Sequence, residues 1–250
     1  MSSTSTTDSP SRSTGPGRPR RRRLWTGLAV VVVLLVLAAV VGPRIYAEVE
    51  GGKAAAPLVS AGSTPSATAT AASTDAALNG AWAITSGGTA GYRVDEVLNG
   101  QNVTVTGRTS KVTGSLTVDG GQLTAGTVTV DLASVETDSS ARDGQFRGAD
   151  IMDVDRFPTA DFAVTSPVPL GGLEVGSTIA VQLTGTMTLK GTTKDVTVPA
   201  TVQRTAEKAV TVTGSLPVTW SDYGVQAPNL GFVSVQDAGT IEFSVPAVPA

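Results

Sequence analysis

The sequence predicts an all-β domain of antiparallel strands, and three observations carry that reading. From Asn79 onward apolar residues recur at every second position, the period at which a strand turns alternate side chains to one face. Glycine-rich reversals separate the alternating runs at short intervals, so neighbouring runs join as hairpins and lie antiparallel. Helix-like character is confined to one short stretch near residues 138–150.

Taken in order, the strands are read at 102–106, 115–118, 127–132, 179–183, 186–189, 196–198, 210–212 and 240–245. Their reversals fall at Asp119-Gly120-Gly121, at Gly171-Gly172 and across 190–195. This many hairpin-linked strands in residues 79–250 form a sandwich or a closed barrel. An immunoglobulin domain would need a Cys, Trp, Cys spacing, and the chain has no cysteine. Faces rich in Val, Thr, Ala and Gly would leave a slender apolar cavity in an eight-stranded barrel. The same faces would also pack a narrow sandwich, and alternation alone does not choose between them.

Ahead of this domain the chain divides by charge. Residues up to Arg44 carry seven arginines, four of them consecutive at 20–23, against one acid, Asp8. Residues 24–42 follow without a charge, about the length a helix needs to cross ~30 Å of hydrocarbon. Basic residues collect on the cytoplasmic side, so 1–23 are read as a cytoplasmic tail, 24–42 as a single transmembrane helix, and the remainder as lying outside the membrane. A cleaved signal peptide fits less well, because its apolar core is usually only ~7–15 residues and Ile45-Tyr46-Ala47 makes a poor cleavage site. Residues 43–78, rich in Ala, Ser, Thr and Pro, are read as a flexible linker.

Composition narrows the chemistry. From Asn79 onward ten Lys or Arg face seventeen Asp or Glu, which leaves no basic surface for a phosphate backbone, so nucleic acid is not an expected partner. The absence of cysteine and histidine removes thiol chemistry, the usual zinc ligands and every Ser-His or Cys-His arrangement. A non-catalytic protein without metal or cofactor is expected.

Residues 137–162 interrupt the Val/Thr/Gly monotony with dense charge and three of the five phenylalanines. Asp138 or Ser139 is placed to cap a short helix running towards Asp150. On it Arg142 and Phe146 share a face, while Asp143 and Arg147 have the spacing of a surface ion pair. Asp150, Asp153 and Asp155 lack the Gly and Glu positions of a calcium loop. A carboxylate pair among Asp153, Asp155 and Asp161 lacks the aromatic cleft that sugar cleavage needs. Phe146, Ile151, Met152, Phe157 and Phe162 form an apolar group suited either to core packing or to an adaptable ligand surface.

The order of motifs resembles that of the YceI-like family of polyisoprenoid-binding proteins. The matching residues are Gly80-Ala81-Trp82-Ala83-Ile84, Gly91-Tyr92-Arg93-Val94 and Val112-Thr113-Gly114-Ser115-Leu116, then Arg142-Asp143, Asp153-Val154, Phe157-Pro158 and Phe162, the hairpin at 183–194, and Trp220-Ser221-Asp222-Tyr223-Gly224-Val225. The chain departs from many relatives in having Gln145-Phe146 where they carry a His, and Trp220-Ser221 where they carry an Arg. The resemblance implies an eight-stranded, lipocalin-like antiparallel barrel with one short helix and a tunnel for an isoprenoid or similar long-chain lipid. On that basis Trp82, Tyr92, Phe146, Ile151, Met152, Phe157, Phe162, Trp220 and Tyr223 are candidate lumen or lid residues. Arg142 and Asp143 are candidates for a polar mouth. The competing expectation is a stalked interaction module whose barrel is filled with side chains.

Overall fold

Twelve strands join one sheet in the computed structural model, which describes residues 54–59, 67–68, 78–229, 231 and 233–250. In chain order they begin with β1 (Ala67–Thr68), β2 (Gly80–Ile84), β3 (Thr89–Leu98), β4 (Gln101–Thr109), β5 (Val112–Asp119) and β6 (Gln122–Asp131). A 3-10 turn at Leu132–Ser134 and the helix α1 (Ser140–Arg147) follow. The chain continues through β7 (Thr159–Val164), β8 (Val168–Pro169), β9 (Thr178–Leu189), β10 (Thr192–Ala206), β11 (Ala209–Thr219) and β12 (Val233–Pro249), with a second 3-10 helix at Trp220–Tyr223.

Neighbours run β11-β10-β9-β7-β6-β5-β2-β12, and β12 pairs back onto β11, so eight strands close an antiparallel barrel, as the family resemblance implies. Closure removes the open edges a flat sheet would expose. Strand β12 is long enough to meet two partners on one side, β2 at Ala247–Pro249 and β3 from Val233 to Ser244. Between them the backbone bulges at residues 85–88, where the Thr85 amide donates to the Pro246 carbonyl at 3.0 Å. Two hairpins are set by tight turns at Asn99-Gly100 (φ 50° and 78°) and Lys190-Gly191 (φ 48° and 74°). Two successive positive φ values match the right-handed twist of the flanking strands.

Alternation fills the inside of the wall. On β9, Ile179, Val181, Leu183, Met187 and Leu189 are all buried, one at every second position apart from Gly185. Each such side chain contributes roughly 1.5–3 kcal/mol relative to exposure.

Helix α1 is shorter than expected, ending at Arg147 with Gly148 as its C-cap. Its N-cap Ser139 makes no side-chain cap bond. The first turn is tied down by Asp143 instead, whose carboxylate accepts from the Thr137 amide at 2.8 Å and the Thr137 hydroxyl at 2.7 Å. That inward role replaces the expected Asp143–Arg147 pair. Arg142 pairs with Asp138 at 2.5 Å, and Arg147 donates to the Ala133 carbonyl at 3.4 Å.

Part of the stretch read as a flexible linker is held against the barrel. Arg93 donates to the Ala55 carbonyl at 2.7 Å, Arg108 donates to the Ala56 carbonyl, and the Leu58 amide donates to Glu242 at 3.2 Å. Strand β1 adds in parallel to β9, Ala67 opposite Ile179. Glu242 on the outer face bridges Arg93 (3.1 Å) and Arg108 (3.3 Å), and this three-charge cluster supplies both donors and an acceptor to a passing backbone. The basic tail at 1–23 and the transmembrane helix expected at 24–42 lie outside the described residues. Among the described residues no helix is long and apolar enough to cross a membrane.

Candidate functional site

The inward faces do not meet at the barrel axis. They enclose a cavity of about 130 Å³, counted as space open to the centre of a water molecule, with walls that include Leu116, Val128, Phe162, Leu183, Val212 and Phe243. Every barrel strand except β2 contributes to its lining. Asp161 is the one charged residue among the described residues that line it, and the hydroxyls of Thr129 and Thr159 hold its carboxylate at 2.6 and 2.8 Å. An apolar cavity of this kind stays dry and favours an apolar guest.

Glycines on neighbouring strands let the aromatic residues lie against the wall. A Cβ on Gly107 would stand 2.3 Å from Cε1 of Tyr92, and one on Gly239 would stand 2.4 Å from Cζ2 of Trp220. Phe243 lies in the same way over Gly214, and Phe162 over Gly185. Without those glycines the rings would be pushed into the lumen.

At one end a wall of Tyr92, Phe146, Met152 and Trp220 separates this cavity from a second one of about 200 Å³, and all four residues line both. The Tyr92 and Phe146 rings stack with centroids 5.3 Å apart, and Trp220 meets Tyr92 edge-on at 6.2 Å. The outer space is an apolar vestibule with a polar side made by Glu96, Arg142, Gln145 and Gln226. Arg142 stands 3.6 Å from Glu96, which is only 6 % exposed. Burial pushes the Tyr92 phenol well above its usual pKa. The neighbouring Arg142 opposes that shift, and Asp143, Glu96 and Asp138 reinforce it. The Tyr92 hydroxyl makes no hydrogen bond among the described residues.

Of the residues singled out from sequence, Tyr92, Phe146, Met152, Phe162 and Trp220 stand on the inner cavity. Ile151 and Arg142 stand on the vestibule. The other four stand elsewhere. Trp82 is buried in the core, its indole N–H donating to the Leu78 carbonyl at 2.9 Å. Phe157 packs over Gly191 at the β9–β10 turn, beneath the Arg156 guanidinium at 5.1 Å. Tyr223 is a core residue under the Lys194 ammonium at 5.9 Å. Asp143 is the helix tether described above.

Sequence reading missed Phe243, Glu96, Gln145 and Gln226. Phe243 had a signal, since it alternates with Ile241 and Val245 in a strand that was recognised. Glu96 had none, because a carboxylate at an inward position breaks the pattern used to find such positions. Asp153, one of the acids weighed for calcium, pairs with Arg156 at 3.3 Å. Among the described residues no group of three or more acids converges on a metal position.

A closed antiparallel barrel with an apolar lumen and a polar-edged vestibule defines a class of proteins built around an internal apolar cavity. Within that class the chain belongs to the YceI-like family, whose YceI-like domain matches residues 82–247. Its fold is similar to that of a polyisoprenoid binding domain from Saccharophagus degradans implicated in plant cell wall breakdown, with 18% identity, a TM-score of 0.56, and 68% of this chain and 98% of that one covered. It is also similar to BcnA of Burkholderia cenocepacia, with 26% identity, a TM-score of 0.50, and 62% and 95% covered. No curated protein matches the chain.

Proposed function

We propose that this protein binds a long-chain isoprenoid-like lipid along the barrel lumen, without catalysis, on the outer side of the cytoplasmic membrane. The observation that carries the reading is the predominantly apolar lining of the lumen, on which the charge among the described residues is that of Asp161, its carboxylate already satisfied. Burying an apolar chain there gains about 0.8 kcal/mol per CH₂. The polyisoprenoid binding described for the S. degradans domain supports the reading through the shared barrel. Tethering rests on the uncharged run at 24–42 and the arginines before it, which favour a single-pass anchor with the barrel outside. An interaction module working only through its loops would have no use for an open lumen, and the 130 Å³ cavity weighs against that alternative.

The test is the melting temperature of the full chain with and without added polyprenyl lipid. A ligand at a hundred times its Kd stabilises the folded state by about 2.7 kcal/mol, so a rise of several degrees is expected. An unchanged melting temperature across a range of chain lengths would count against the proposal.

A further inference from the structure

We infer that the free edge of β4 is a docking site for an extended peptide of a partner protein, which adds as an antiparallel strand and carries a basic residue at its N-terminal end. Among the described residues β4 is the last strand of the sheet order, lying beyond the closed barrel with β3 as its partner strand. Its other side is met at a single point, where Arg108 and Glu136 exchange backbone bonds of 2.9 and 3.0 Å.

That bridge fixes which backbone groups face outward. In an antiparallel pair, residues alternate between bonding across to the partner and turning both backbone groups to the far side. Arg108 turns away from β3, so Thr106, Thr104 and Asn102 do too, because the β3–β4 register runs without a shift from Thr109 to Gln101. A straight continuation of the chain beyond Glu136 would cover them, but it turns into α1 at Ser140. The place alongside β4 is a polar hollow of about 270 Å³, whose border includes Thr104, Thr106, Arg108, Glu136 and Asp138.

Two side-chain groups on the hollow also lack partners. The Thr106 hydroxyl and the Arg108 Nε are buried and make no hydrogen bond among the described residues. Leaving such groups unsatisfied is costly. A threonine opposite Thr106 on an added strand would bring an oxygen within reach of both, as a direct and a diagonal cross-strand neighbour. Val103 and Val105 alternate with the threonines of β4 and are buried, so apolar residues opposite them continue the inner face.

Charge sets the flank. An antiparallel addition begins beside Glu136 and Asp138 and ends beside Asn102. Arg108 is taken up by Glu242 at 3.3 Å, and Arg142 is shared between Asp138 at 2.5 Å and Glu96 at 3.6 Å. Glu136 is exposed and makes no ion pair among the described residues, so a Lys or Arg at the start of the peptide complements it. Main-chain bonds to the edge supply affinity in this mode of recognition, and alternate side chains supply specificity.

The test is fluorescence anisotropy of the full chain in detergent with the labelled peptide acetyl-Lys-Thr-Val-Thr-Val-Thr-amide. Saturable binding is expected. N-methylation of its first two threonines, whose N–H groups bond to β4, is expected to weaken binding at least about tenfold, whereas N-methylation of its valines leaves it within about twofold. Glu136→Gln should weaken binding several-fold at low salt and little at high salt. Thr104→Pro removes an outward N–H that the β3–β4 pairing does not use and, once its melting temperature shows that it folds, should abolish binding. No saturable binding, or a threonine-methylated peptide that binds as well as the parent, would overturn the inference. Self-association of the chain without peptide, lost in Thr104→Pro, would assign the edge to a second copy and overturn it too.

Discussion

Tyr92 on β3 and Phe146 on α1 stack face to face, their centroids 5.3 Å apart and their planes 5° from parallel, and this contact joins the helix to the barrel wall. Gly107 lies behind Tyr92 with no side chain to push it forward, and Trp220 abuts its edge. The stack is therefore both a packing element and the partition between lumen and vestibule.

Phe146→Ala should remove that partition. The expected cost is about 3–5 kcal/mol, the range for losing a buried aromatic ring, and urea unfolding measures it. Exchange of a bound lipid should quicken in the same variant, because inner and outer cavities would merge.

Gly107→Ala tests the glycine-backed ring. The added methyl would lie 2.3 Å from the Tyr92 ring, which must shift into the lumen. Destabilisation of about 1–3 kcal/mol is expected from overpacking, together with weaker lipid binding. A variant as stable as the parent would show that the ring has room to move.

Glu242→Gln should release the segment at 54–59. It leaves Arg93 and Arg108 without their shared counter-ion and weakens the acceptor for the Leu58 amide. A loss of about 2–3 kcal/mol is expected, towards the low side for breaking a buried pair because both guanidiniums keep some contact with solvent. Hydrogen exchange of residues 54–59 should rise in step.

Alkaline pH should also destabilise the fold. The folded-state pKa of Tyr92 lies above its unfolded value of 10.0, so the unfolded chain loses this proton first as pH rises. Its contribution is complete below pH 10 and declines above it. Tyr92→Phe should flatten the stability profile in that range, read from urea midpoints between pH 8 and 11.

Much of the barrel is legible in the sequence because alternation reports the inward face directly, as in β9, where every second residue is buried. Strand β3 is harder to see: Glu96 occupies an inward position and Gly91 another point in the wall, so the period-two signal fails there. The Asn99-Gly100 turn that ends β3 is a strong hairpin signal, yet it has force only once β3 itself is recognised. At the site, the aromatic cluster of residues 146–162 is visible as composition, but which members face the lumen depends on where the loop after α1 folds. Phe162 lies on β7 and points inward, whereas Phe157 lies before that strand and packs over a turn. The glycines behind the rings read as weak strand residues until the rings they accommodate are known. The ordering of 54–59 was illegible for a similar reason, since its partners Arg93, Arg108 and Glu242 stand far away in sequence.

The most direct measurement is native mass spectrometry of the full chain purified from cells that make polyprenyl lipids, followed by solvent extraction of whatever it carries. The expected result is a discrete added mass that extracts as a long isoprenoid lipid and disappears in Leu183→Trp, whose larger side chain fills the lumen. Lipid-free protein in every preparation, with Leu183→Trp indistinguishable from the parent, would contradict lumenal lipid binding.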